Sequence, residues 1–172
     1  MTAAVDEYIN PYNYRSFISC LESVGFENPA QLRSKMTVDF VYALYLMLQH
    51  DSHIPNTKVK PLVGRWYVMS VLTGRYASSP ESSMGRDLRL IREKGFINCL
   101  EEIERSDLPE SFWEYKLVQG LETPLFASPA FLTYVAAQVF LNDSSLLTVN
   151  TKVSTLIKLG VGDVHHIFPK AI

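Results

Sequence analysis

The chain has 172 residues, 47% of them hydrophobic and 20% charged, with a formal net charge of -2. That length suits one domain, or one domain and part of another, and buries roughly two-thirds of the unfolded surface. The composition is that of a soluble globular protein with a true core, and no apolar run approaches the roughly 20 residues that span a bilayer.

The start, "MTAAVDEYIN", has no basic segment followed by an apolar one, so a secretory signal is not expected. Residues 15–24 place Phe17, Ile18, Leu21 and Val24 at helical spacing, and Gly25 is suited to end that helix. Pro29 begins a short, turn-rich helix through Leu32. Thr37 is read as the cap of a central helix to about His50, with Val38, Val41, Tyr42, Tyr45 and Leu48 in one stripe and Phe40, Leu44 and Met47 in another. After the loop "DSHIPN", a helix starts at Thr57, with Pro61 assigned to its first turn, where backbone donors have no intrahelical partner. Leu62, Trp66 and Met69 or Ser70 line one side of it, Val63, Tyr67 and Val71 another. Ser79, Pro80 and Glu81 open the next helix, through about Lys94, with Ser79 as cap and Gly95 as stop.

A further helix is expected over residues 96–105, a short one from Pro109, and one from Ser128 and Pro129 with Leu132, Val135, Ala136, Val139 and Phe140 facing the core. Residues 150–159 can form a last helix, and "DVHHIFP" reads as a strand. The fold class expected is therefore mainly α: a compact multi-helix domain over residues 1–149, then a short C-terminal segment, 150–172, ending in a strand. Cys20 and Cys99 stand alone, which argues against a zinc knuckle or a disulfide framework and for a reducing cytoplasm.

The small net charge hides a segregation. Residues 58–94 hold eight basic side chains against Glu81, Asp87 and Glu93, whereas residues 95–126 hold seven acidic ones against Arg105 and Lys116. Two outcomes are open: a phosphate-facing surface, or pairing of the basic stretch with the acidic one and with water.

Two stretches, "GRWYVMSVLTGRYASSPESSMGRDLRLI" and "DVHHIFPK", resemble the C-terminal part of the GmrSD-type restriction endonuclease family. Members join an N-terminal ParB-like nucleotide-hydrolysing domain to a helical region that runs into an HNH nuclease motif. The resemblance covers most of the chain from about Phe40 and implies a DNA-cleaving defence protein directed at phage DNA, often modified. It maps His165 onto a metal-ligand position and His166 onto the general base, with a divalent metal such as magnesium completing the site of a ββα-metal fold; Asp163, on the same strand face as His165, could orient its ring or add a carboxylate ligand. In such a site the imidazole deprotonates water while the metal polarises the phosphate. Adjacent side chains on a regular strand point to opposite faces, so His165 and His166 can serve one site only where the strand is distorted or the ligand lies at its edge. An HNH motif also needs a loop and a helix beyond this strand. The segment alone is therefore expected to hold no catalytic metal tightly and to leave DNA uncut.

Arg75, Arg86, Arg89 and Arg92 are the candidate phosphate contacts. Arg65 and Trp66 could touch DNA by charge and stacking, but the helical register of Trp66 beside Val63 and Tyr67 favours a core position. The "GRYASSPES" turn could cradle a phosphate at a helix start, although capping by Ser79 would take part of that demand. His50 and His53 show no metal-ligand spacing and receive no role. Besides the nuclease reading, a non-catalytic helical coupling module remains open, one that joins the hydrolase to the nuclease or self-associates through Tyr12, Tyr14 and Trp113. Neither reading calls for a membrane.

Overall fold

In the computed structural model, which describes residues 2–32, 34–122, 128–146, 148 and 150–160, the regular elements are helical. They are α1 (Thr2–Tyr8), α2 (Pro11–Glu22), α3 (Lys35–Gln49), α4 (Asn56–Thr73), α5 (Pro80–Lys94), α6 (Phe96–Asp107), α7 (Leu117–Leu121), α8 (Pro129–Phe140) and α9 (Val153–Leu159). A 3-10 turn, Pro29–Gln31, follows α2, and a π-helical turn, Phe112–Lys116, leads into α7. No strand occurs among the described residues, only a single antiparallel bridge between Ser144 and Lys152. No described helix is long and apolar enough to cross a membrane.

The two central helices are α3 and α4. Helix α4 packs against α2, α3, α6 and α8, so it carries apolar groups around most of its circumference: Val59, Leu62, Val63, Trp66, Tyr67, Met69 and Leu72 are all buried. Helix α3 buries Val38, Val41, Tyr42, Leu44, Tyr45 and Leu48. Both expected stripes are there, except that Met47 is 39% exposed. Full burial of a side chain of this size contributes about 1.5–3 kcal/mol, so this pair of helices supplies much of the fold's stability.

Several local expectations shift by one turn. The cap of α3 is Ser34, whose Oγ accepts from the Thr37 backbone N–H at 3.2 Å and from the Thr37 hydroxyl at 2.8 Å. Thr37 thus lies three residues into the helix. Pro61 falls in the second turn of α4, not the first. It is tolerated because Pro61 and Thr57, whose carbonyl loses its usual donor, both face solvent. Ser128 caps α8 as expected, accepting from the Phe131 N–H at 3.1 Å. Phe140 was expected in the core but is 65% exposed.

Helix α1 was not foreseen. It is held by aromatic packing, with Tyr8 5.0 Å from Tyr42 between ring centroids, and by the Tyr42 hydroxyl, which donates to the Tyr8 carbonyl at 3.0 Å. At the other end, α9 sets Ile157 against Val135 and Val139 of α8. Asn28 Nδ2 donates to the Ile157 carbonyl at 2.7 Å, and Lys158 pairs with Glu27 at 3.1 Å. Helix α9 is therefore fastened to the helical body through Ile157 and Lys158. The division drawn after residue 149 in the sequence does not separate α9 from it.

Cys20 and Cys99 are both buried and free. Burial pushes each thiol up to about 11. At neutral pH both are protonated and weakly nucleophilic. A thiol reagent at pH 7.5 is expected to modify neither residue until urea unfolds the chain; rapid labelling of the native protein would contradict this. The sign of the pH effect follows. The unfolded thiols ionise near pH 8.5–9 while the folded ones hold their protons to about 11, so this contribution to stability is intact below the unfolded pKa and is lost as pH rises toward 11.

Candidate nucleic-acid interface

The eight basic side chains of residues 58–94 do not act alike. Lys94 pairs with Glu102 at 2.6 Å, and Arg65 forms a two-point contact with Glu104, its Nε 2.6 Å from Oε1. Lys60 donates to Ser19 Oγ at 3.0 Å. Glu102 and Glu104, two of the seven acidic side chains of residues 95–126, thus pair with the basic stretch across the α5–α6 and α4–α6 contacts.

Arg75 is the deepest case. Its Nε and Nη2 reach Asp87 Oδ2 and Oδ1 at 2.8 and 2.7 Å, and its Nη1 reaches Asp107 Oδ2 at 2.5 Å. The Arg75 side chain is 9% exposed and that of Asp87 0%. Tyr76 donates its hydroxyl to Asp87 Oδ2 at 2.8 Å and accepts from Trp66 Nε1 at 3.2 Å. Burial, reinforced by the Asp87 charge, raises the Tyr76 pKa, so the phenol stays a donor. The result is a lock of Trp66, Tyr76, Arg75, Asp87 and Asp107 that ties α4, the turn after it, α5 and α6 together. The Gly-Arg-Tyr segment and the aspartate of "GRDLRLI" thereby acquire a structural role. Arg75 was grouped with the phosphate contacts in the sequence. Its guanidinium is instead occupied by two carboxylates and withdrawn from solvent. Trp66 is fully buried and cannot stack on a base, whereas Arg65 is half exposed and paired with Glu104.

Arg86, Arg89 and Arg92 are exposed and make no ion pair among the described residues. Spaced three residues apart, they lie on the outward side of α5, opposite Asp87 and Ile91, which are buried. They span about 9 Å of helix axis, comparable to the rise of two or three base pairs. Glu81 and Glu93 are also exposed on this helix, so the face is basic but not purely so. Ser79 does not cap α5: its φ is 123° and its side chain makes no capping hydrogen bond. Pro80 and Glu81 occupy the first turn as expected.

Asp163, His165 and His166, with the strand expected around them, lie outside the described residues. Among the described residues, no three His, Cys, Asp or Glu side chains come together as a metal site. His50 contacts Glu7 at 3.0 Å and His53 contacts Asp51 at 3.1 Å, both at exposed positions.

The residues overlooked in the sequence were Asp87 and Asp107. A signal for the first existed: Asp87 stands four residues before Ile91, on the stripe that α5 turns inward, and a carboxylate at such a position needs a cation. Comparison with protein-family models, curated proteins and solved structures finds no match.

Proposed function

We propose that this chain is the helical, DNA-contacting part of a metal-dependent HNH endonuclease of the GmrSD type. In this reading α5 lays Arg86, Arg89 and Arg92 along the phosphate backbone. The single observation that carries it is that these three arginines, side by side on one face of α5, are exposed and make no ion pair among the described residues, whereas Arg65, Arg75 and Lys94 are each paired with a carboxylate. Such contacts would position DNA without reading its sequence. The chemistry rests on the resemblance of "DVHHIFPK": His166 takes the proton from the attacking water, while Asp163 and His165 hold a divalent metal that, when bound, polarises the phosphate. DNA, modified or not, and a ParB-like nucleotide-hydrolysing domain are the partners this reading implies.

The test is duplex-DNA binding as a function of salt. Replacing Arg86, Arg89 and Arg92 together with alanine is expected to weaken binding and to lower the slope of log K against log salt by about 2.7, from roughly 0.9 per phosphate contact. Arg105→Ala, at an exposed position on the acidic helix α6, is the control and should leave the slope unchanged. An unchanged slope in the triple variant would overturn the assignment of this face. The coupling-module reading draws on exposed aromatics, with Tyr12 75%, Tyr14 44% and Trp113 48% accessible. A stable oligomer without DNA affinity would favour it.

A further inference from the structure

A cleft of about 710 Å³ lies where α2, the end of α3 and the start of α4 meet, within the range of about 300–1,000 Å³ usual for small-molecule sites. Its floor is apolar, with Cys20, Tyr45 and Val59 all buried. Arg15, Asn56 and Lys60 also line it and are exposed, so their head groups are open to a ligand. Helical spacing builds this wall: Arg15 and Ser19 stand four residues apart on α2, and Asn56 and Lys60 do so on α4, each pair on one face of its helix.

No acidic side chain lines the cleft. Arg15 makes no ion pair among the described residues, and Lys60 gives its hydrogen bond to a neutral group, Ser19 Oγ at 3.0 Å. Neighbours at i and i+4 have Cβ atoms about 5–6 Å apart, so the bond to Ser19 brings the Lys60 ammonium into the neighbourhood of the Arg15 guanidinium. Two cations side by side with no carboxylate between them repel, and an anion bound between them removes that cost. Helix α4 acts in the same direction. Pro55 offers it no side-chain cap, and the positive end of its dipole lies beside Asn56 on the cleft wall. A monoanion would balance one of the two charges and a dianion both, while the apolar floor suits a flat ring. We propose that this cleft is a binding site for a small aromatic phosphate monoester, its dianionic phosphate held between Arg15 and Lys60 and its ring laid over Tyr45 and Val59. Arginine supplies the planar pair of donors that a phosphate accepts in two-point fashion, and lysine supplies a point charge. None of the lining residues lies on α5, so the site does not depend on the nuclease reading.

The experiment titrates the full chain with phenyl phosphate and, separately, with phenol and with inorganic phosphate, at about pH 7.5, where a phosphate monoester is close to dianionic. Binding is followed by amide chemical shifts at Ser16, Ser19, Val59 and Lys60. Phenyl phosphate is expected to bind saturably and about tenfold tighter than either fragment, since each fragment forfeits one set of contacts. Arg15→Gln and Lys60→Gln, both at exposed positions, are each expected to weaken it about tenfold, the loss of one charge-assisted hydrogen bond, with the urea midpoint unchanged. The triple alanine variant of Arg86, Arg89 and Arg92 is the control and should bind phenyl phosphate as wild type does, whereas a general attraction of anions would fall there too. No saturable binding, full affinity in either glutamine variant, equal affinity for phenyl phosphate and one of its fragments, or an equal loss in the α5 variant would each overturn the proposal.

Discussion

Asp87→Ala is expected to destabilise the fold by about 3–5 kcal/mol, the range for breaking a buried ion pair from one side, measured as a fall in the urea midpoint. The carboxylate is wholly buried and accepts two hydrogen bonds from Arg75 and one from Tyr76. Removing it leaves the guanidinium, 9% exposed, with Asp107 alone, and strips the Tyr76 hydroxyl of its acceptor. Asp87→Asn should lie between wild type and alanine, because the amide keeps the shape but loses the charge and turns a donor toward donors. Replacing both partners, with Arg75→Met and Asp87→Leu, is expected to recover most of the loss, since an apolar pair of similar volume avoids the desolvation of two ions. If α5 contacts DNA as proposed, that double variant should also leave the salt slope unchanged, which separates the lock from the arginine face. A loss below about 1 kcal/mol for Asp87→Ala, the level of an exposed pair, would show that the lock does not hold these helices together.

The contrast between Ser79 and Ser128 shows what the sequence made legible. Both precede a proline at a helix start, and both read as caps. Ser128 caps because its geometry is local: an extended residue feeding directly into α8, with φ -68° and ψ 141°. Ser79 ends a turn whose first residues, Arg75 and Tyr76, are fastened to Asp87 on the same helix that Ser79 precedes. The chain thus enters Pro80 from a direction in which the Ser79 side chain cannot reach back. Periodicity located the core of α3 and α4 for the same local reason, since burial follows from spacing along one helix. It could not place α1, whose attachment depends on Tyr42 far along the chain.

The arginines show the same limit at the candidate site. In the sequence Arg75, Arg86, Arg89 and Arg92 carry equal charge and differ only in register. What separates Arg75 is the arrival of Asp107 from α6, a pairing across 32 residues that no spacing rule reports. Charge segregation between residues 58–94 and 95–126 was visible, but which of the basic side chains pair and which stay open to solvent was not. Lys94 and Arg65 pair, and the outward arginines of α5 do not.

Gly25→Ala is expected to be the other severe substitution, costing about 2–5 kcal/mol from left-handed strain and overpacking together. Gly25 ends the turn after α2 with φ +91°, and a Cβ there would stand 1.9 Å from the Ala136 carbonyl oxygen and 2.7 Å from its carbon. The obstacle is the backbone of α8, which cannot swing aside as a side chain can. Relief requires separating the end of α2 from α8, and Ala136, 2% exposed, belongs to the main core. Gly25 also offers its carbonyl to Gln31 Nε2 at 3.4 Å, and Gln31, 1% exposed, in turn holds the Asn28 N–H. A shift at Gly25 therefore reaches the 3-10 turn and, through Asn28, the docking of α9. Gly95→Ala separates the two causes, because Gly95 has a similar φ of +81° with nothing within 4 Å of the added carbon. With φ +81° and ψ 159°, Gly95 lies in a backbone region open essentially to glycine alone, so the variant should lose about 1–3 kcal/mol from strain with no added overpacking. Urea midpoints of the two variants would measure the difference, and equal losses would mean that α8 yields to the added methyl and that its close approach to Gly25 does not limit the fold.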